Sequence, residues 1–173
     1  MNRHAVSTEH APAALGPYSQ AIVAGGFVFC SGTAGIDPET GSVPEGIEAQ
    51  TEQALRNLAA ILTAAGASMT NLVKTTIFYT DVADFATLNE VYARHMPDPA
   101  PARSAPANVR LPRDLLVSID AIAALPSGPG HWQSAERRAP RHRSCGRSGC
   151  RPAGGCLSVC AGLTTSRGRS RSR

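Results

Sequence analysis

The chain has 173 residues and a formal net charge of +4, but the charge is divided. Residues 1–126 hold 7 basic and 12 acidic side chains, net −5, whereas residues 127–173 hold 10 and 1, net +9. No run approaches the ~18 apolar residues of a membrane span, and Met1–His10 lacks the apolar core of a secretory signal, so a membrane or exported protein is not expected and a cytoplasmic one is.

In chain order, Tyr18–Ala24 and Phe27–Gly32 read as a β-hairpin. Gly25-Gly26 between them suits a two-residue turn in which both positions need φ > 0. The turn-rich loop 37–44 precedes the clearest helix, at about 45–65. Its Ala54, Leu55, Leu58, Ile61, Leu62 and Ala65 recur at helical spacing on one face. Glu45, Glu48 and Glu52 lie near its start, where carboxylates favour the dipole, and Gly66 suits the position past its end.

Leu72–Thr80 is rich in β-branched and aromatic residues and reads as a strand. Asp81 and Asp84 are candidate N-caps for a helix at about 84–95, which the segment Met96-Pro-Asp-Pro-Ala-Pro ends. Residues 102–109 and 115–124 read as two further strands; the second is nearly all apolar, as in strands buried on both faces. The order β-β-α-β-α-β-β is an α+β layout, a mixed sheet with both helices on one face. The bare face then needs cover, which points to an oligomer.

Residues 127–173 have no Lys, Asp, Ile, Phe, Tyr or Met, and too few large apolar residues to offset the entropy of ordering. The expectation is a domain over 1–126 and a disordered Arg/Gly/Ser/Cys-rich tail over 127–173. The tail's composition is also that of GC-rich DNA read out of frame, so the expectation is a frameshifted or extended C-terminus, with a genuine added module as the alternative. Its cysteines, Cys145, Cys150, Cys156 and Cys160, lack the paired C-x2-C spacing of zinc sites. Its arginines could bind nucleic acid phosphates only non-specifically.

Two residues stand out for chemistry. Arg103 opens a predicted strand after a Pro-rich loop, and its guanidinium is a fork suited to a carboxylate, although on position alone a surface arginine is the plainer reading. Asp120 interrupts an apolar run on the same face as Leu116, Ser118 and Ile122. A carboxylate there either pairs with a cation or is catalytic. Tyr18, Ser31 and Asn89 read individually as satisfied structural polar groups. Cys30, after Phe27-Val-Phe, reads as a buried thiol. His4, His10, His95, His131 and His142 show no metal-ligand spacing, and no glycine-rich phosphate loop is present.

The chain resembles the RidA/YjgF family of enamine/imine deaminases. The matching stretches are Ala11-Pro-Ala-Ala-Leu-Gly-Pro-Tyr-Ser-Gln, Cys30-Ser-Gly, Val73-Lys-Thr-Thr-Ile-Phe and Asp84-Phe-Ala-Thr-Leu-Asn-Glu-Val-Tyr. They continue with Pro101-Ala-Arg-Ser-Ala, Arg110-Leu-Pro-Arg and Val117-Ser-Ile-Asp-Ala-Ile-Ala, so that the similarity covers about residues 5–125. The resemblance implies a chorismate-mutase-like fold assembled as a homotrimer, with three sheets facing inward as a barrel and sites in clefts between subunits. It implies hydrolysis of small 2-imino or enamino acids to 2-keto acids and ammonia without a cofactor or metal. Arg103 matches the arginine that grips the substrate carboxylate. Asp120 is matched to the glutamate that orients water and moves protons. Tyr18, Ser31, Gly32 and Asn89 match other pocket positions, and Ala105 stands where a cysteine is frequent and backbone groups are used. Shortening Glu to Asp withdraws the carboxylate by roughly 1.5 Å, enough to cost about a hundredfold in rate where positioning is critical. That departure keeps two alternatives in view: a non-catalytic metabolite-binding or chaperone-like trimer, and an RNA-directed translation inhibitor or endoribonuclease.

Overall fold

A computed structural model describes residues 3–126; the predicted tail, its cysteines, His131 and His142 lie outside the described residues. Strand β1 (Arg3–Val6) leads to the hairpin β2 (Ala21–Ala24) and β3 (Phe27–Ala34). Helix α1 (Gly46–Ala64) and strand β4 (Leu72–Tyr79) follow, then helix α2 (Phe85–His95) and strands β5 (Ala102–Ser104) and β6 (Val117–Ala124). They form one six-stranded sheet in the order β1-β2-β3-β6-β4-β5. It is mixed: β4 and β5 run parallel and the other neighbours antiparallel.

Local chemistry accounts for most of these elements. Gly25 and Gly26 have φ of 60° and 83°, the left-handed region a tight hairpin turn demands. The apolar stripe of α1 buries Ala54, Leu55, Leu58 and Leu62 completely. Gly66, with φ 81°, receives the chain past the helix end. Helix α2 stops at His95 because Met96, before Pro97, is forced into extended geometry with ψ 143°. Asp81 caps a 3-10 turn at Val82–Asp84 by accepting from the Ala83 N–H at 2.8 Å, whereas Asp84 makes no cap bond.

Three expectations are corrected. Strand β1 is an added edge, unseen in the sequence because three of its four residues are exposed. Strand β5 ends at Ser104 rather than 109, since Pro106 has no N–H to give and Asn108 turns left-handed with φ 59°. In β6 burial alternates strictly, so one face packs and the other stays open, in place of the doubly buried strand expected.

The core lies between the sheet and the two helices, with Val28, Ile77, Val117 and Ile119 meeting Leu55, Leu58, Leu88 and Val91. The other sheet face carries Phe27 and Phe29, 39% and 44% exposed. Two buried amides tie α1 to the sheet. Asn57 Nδ2 donates to the carbonyls of Ala34 and Ile36 at 2.9 and 2.8 Å. Gln50 Oε1 accepts from the Leu116 N–H at 2.9 Å. Gly35 makes the approach possible, because a Cβ there would strike the Gln50 backbone. No helix among the described residues is long and apolar enough to cross a membrane.

Candidate active site

The predicted site residues fall into two groups. The first surrounds a cleft of about 120 Å³, whose lining includes Tyr18, Ser31, Gly32 and Ser118 with an apolar wall of Ile36, Ile61, Leu111 and Leu115. A β-bulge forms its centre. Pairing of β3 with β6 jumps from Cys30–Ala121 to Thr33–Ile119, so Ser31 and Gly32 bow out opposite Asp120. Such a bulge re-aims side chains that a regular ladder would fix. Gly32 lies close under Ser118, since a Cβ there would come within 2.8 Å of Ser118 Oγ and turn that hydroxyl aside. The loop before β2 makes another wall. The Gln20 amide pins it, accepting from the Thr8 N–H at 2.7 Å and donating to the carbonyls of Ala11 and Pro12 at 3.1 and 2.8 Å.

The cleft hydroxyls are partly committed. Ser31 Oγ donates to the Ser19 carbonyl at 2.7 Å, which leaves its lone pairs free. The Tyr18 hydroxyl accepts from the Leu15 N–H at 3.0 Å, which leaves its proton free. Among the described residues, Tyr18 is the one titratable side chain that lines the cleft.

The second group is on the sheet's other edge. Arg103 of β5 is in register with Thr75 of β4, whose side chain meets Tyr92 of α2, so Arg103 is on the helix side. Its Nη1 donates to Asn89 Oδ1 at 2.8 Å. Its guanidinium lies 4.9 Å from the Tyr92 ring centre and 5.8 Å from that of Phe85, a cation–π cradle. The Tyr92 and Thr75 hydroxyls are 2.7 Å apart. Burial holds the Tyr92 phenol above its ordinary range, so it stays neutral beneath the guanidinium. Among the described residues no carboxylate pairs with Arg103. A shallow depression against Asn89, Tyr92 and Met96 opens beside it.

Asp120 belongs to neither lining. It is in register with Thr76 of β4, on the open sheet face, half-buried, with no ion pair among the described residues. Arg103 and Asp120 therefore face opposite sides of one chain's sheet. Ala105 packs against the core rather than into the cleft. Cys30 is buried, and burial, then the nearby Asp120 charge, pushes its thiol up to about 12, as an inert thiol requires.

Residues 8–125 match the family profile described as Endoribonuclease L-PSP. The chain is 52% identical over 126 residues to Reactive Intermediate Deaminase A, chloroplastic, of Arabidopsis thaliana, covering 72% of this chain and 67% of that protein. It is 45% identical over 121 residues to 2-iminobutanoate/2-iminopropanoate deaminase of Salmonella typhimurium, covering 68% and 94%. This chain belongs to the RidA/YjgF family. The crystal structure of RidA from the Antarctic bacterium Psychrobacter sp. PAMC 21119 superposes with a TM-score of 0.68 at 44% identity, covering 70% of this chain and 98% of that one. The α+β sheet with its two helices is thus the family's.

The cleft residue that the RidA/YjgF pattern did not bring forward is Ser118. Its signal was the alternation of β6, which puts it on one face with Asp120.

Proposed function

We propose that the protein hydrolyses small 2-imino or enamino acids to 2-keto acids and ammonia, a reading supported by its similarity to Reactive Intermediate Deaminase A and to 2-iminobutanoate/2-iminopropanoate deaminase. The observation that carries this reading is Arg103, a guanidinium held in place by Asn89 and two rings, with no carboxylate partner among the described residues. A bidentate grip on a substrate carboxylate completes it. The imine carbon then takes the oxygen of water as the C=N electrons move to nitrogen; both protons of the water pass in turn to that nitrogen, and ammonia leaves with the electrons of the C–N bond as the C=O bond closes. Asp120 is assigned the proton transfers: it is the one carboxylate of β6 and lies across from the Ser31–Gly32 bulge.

Sites shared between subunits are part of this reading, supported by Arg103 and Asp120 facing opposite sides of their own sheet. A homotrimer with the open sheet faces inward covers Phe27 and Phe29 and brings one chain's Arg103 to another chain's cleft. Tyr18, Ser31, Gly32 and the Ala105 backbone complete the pocket in this reading.

The test is the loss of imine in a coupled reaction that generates 2-iminopropanoate. Wild type is expected to accelerate it over buffer, and Arg103→Ala and Asp120→Asn to reduce that acceleration by about a hundredfold. A folded oligomer without acceleration would exclude the reading.

A further inference from the structure

We propose that Tyr92 is a positioning residue for the substrate, its hydroxyl anchored on Thr75 and its ring aiming the Arg103 guanidinium; the inference rests on the carboxylate grip of the imine-hydrolase reading. Arg103 cannot aim itself. Its strand β5 has three residues, all exposed, and lies at the edge of the sheet. Its direction comes from one face of α2, where Phe85, Asn89 and Tyr92 recur at helical spacing. The three are unequal. Phe85 is 41% exposed, and its ring centre is 5.8 Å from the guanidinium. Asn89 holds one corner, accepting from Nη1 at 2.8 Å. Tyr92 is 5% exposed and nearer, at 4.9 Å, so it is the firm floor of the cradle.

A floor must itself be fixed. Thr75 is fully buried and stands opposite Arg103 in the parallel β4–β5 register. Its hydroxyl is 2.7 Å from that of Tyr92, and among the described residues no other hydrogen bond joins α2 to β4. Neither hydroxyl has a second partner there, and a buried hydroxyl without one is costly, so the two stay together. The pair sets both the tilt of the ring and the distance of the α2 face from the strand beside Arg103. Apart from Asn89, the other side-chain bonds of α2 run from Arg94 and His95 to Glu48 and Glu52 of α1, at the far end of the helix, and do not hold the ring. The outer torsion of an aromatic side chain is broad, so a phenylalanine fills the same space without the same tilt. A guanidinium grips a carboxylate by two parallel bonds, which needs the two planes aligned. Loss of the tilt therefore weakens binding and leaves the bond-making steps as they were.

The experiment measures imine hydrolysis and, separately, the affinity for pyruvate as a stable product. Tyr92→Phe and Thr75→Val are each expected to raise the imine KM and the pyruvate Kd about fivefold, the effect of one lost hydrogen bond, with kcat within about twofold of wild type. Thr75→Ser, which keeps the hydroxyl, is expected to bind as wild type does. The double variant Tyr92→Phe/Thr75→Val is expected to match the single variants rather than multiply their losses, since each removes the same bond. It leaves no buried hydroxyl unpaired, so it carries the test where a single variant fails to fold. In the Arg103→Ala background Tyr92→Phe is expected to change nothing, whereas a purely structural tyrosine would lower affinity there too. Wild-type affinity in the double variant, a kcat that falls as far as KM rises, a Thr75→Ser as weak as Thr75→Val, or a further loss in the Arg103→Ala background each overturns the inference and leaves the hydrolase reading standing. A wild type that binds pyruvate but does not hydrolyse imine overturns the hydrolase reading alone; one that binds no pyruvate overturns both.

Discussion

Arg103 shows how little of a binding residue is its charge. The side chain is exposed, yet its direction is set by the Asn89 carbonyl and by the Tyr92 and Phe85 rings. A lysine would keep the charge but lose the planar fork and the stacking. Arg103→Lys is therefore expected to weaken pyruvate binding by about tenfold, and Arg103→Ala by up to about a hundredfold, in line with a charge-assisted hydrogen bond pair. Titration calorimetry reads both; equal affinities for wild type and Arg103→Lys would show that charge alone binds. The sequence supplied the residue type here but not its side of the sheet. That depends on the parallel register of Arg103 with Thr75, a contact across 28 positions that no local pattern encodes. Ser118 and Asp120 illustrate the same limit. Alternation puts both on one face, but the bulge at Ser31–Gly32, which settles which of them meets the cleft, is a property of the β3–β6 pairing.

At the scale of elements, the cleft wall is held where α1 crosses the end of β3. Asn57 is 1% exposed and supplies both donors for the carbonyls of Ala34 and Ile36. Asn57→Ala would take the amide donors from the buried Ile36 carbonyl and the part-buried Ala34 carbonyl, at a cost of about 1–3 kcal/mol for the first and less for the second. The expected loss is about 2 kcal/mol in total, seen as a Tm lower by roughly 5–10 °C; an unchanged Tm would mean that water replaces the amide. The two helices are joined on their outer side, where Glu52 Oε2 is 2.8 Å from His95 Nε2. That hydrogen bond, ahead of the charges of His95 and Arg56, holds the Glu52 carboxyl below its ordinary value. A depressed carboxyl stabilises the fold above its unfolded value and ceases to do so as pH falls through its folded one. The Tm of wild type is thus expected to exceed that of Glu52→Gln at pH 7 and to converge with it as pH falls below the ordinary carboxylate range. The gap corresponds to no more than about 1 kcal/mol, because the pair is solvent-screened. These elements were legible where the signal is local. The α1 stripe, the Gly25-Gly26 turn and the Pro97 stop are all short-range. Strand β1 was not, because an edge strand with only Val6 buried has no pattern to read.

At the scale of the whole molecule, the proposed site is one that a single chain does not complete, because Arg103 and Asp120 face opposite sides of its sheet. The division of charge separates the tail's contribution: a chain ending at residue 126 is expected to keep imine hydrolysis, while any salt-sensitive affinity for nucleic acid goes with the ten arginines beyond it. Assembly is tested more sharply by mixing defects. Arg103→Ala and Asp120→Asn are each expected to be nearly inactive as pure oligomers. In a trimer whose sites join Arg103 of one subunit to Asp120 of the next, a site is whole when an Asp120→Asn subunit supplies the arginine and an Arg103→Ala subunit supplies the carboxylate. Random mixing of equal amounts makes roughly a quarter of all sites whole, since cyclic symmetry gives each interface one contribution from each side. Refolding the two variants together should restore about that fraction of wild-type activity, with size-exclusion chromatography and light scattering reporting the assembly. Were both residues supplied by the same chain, every site would carry one defect whatever the mixture, and activity would stay at the level of the pure variants. Opposite faces of one sheet cannot converge on a small substrate, and it is this geometry that makes recovery the expected outcome.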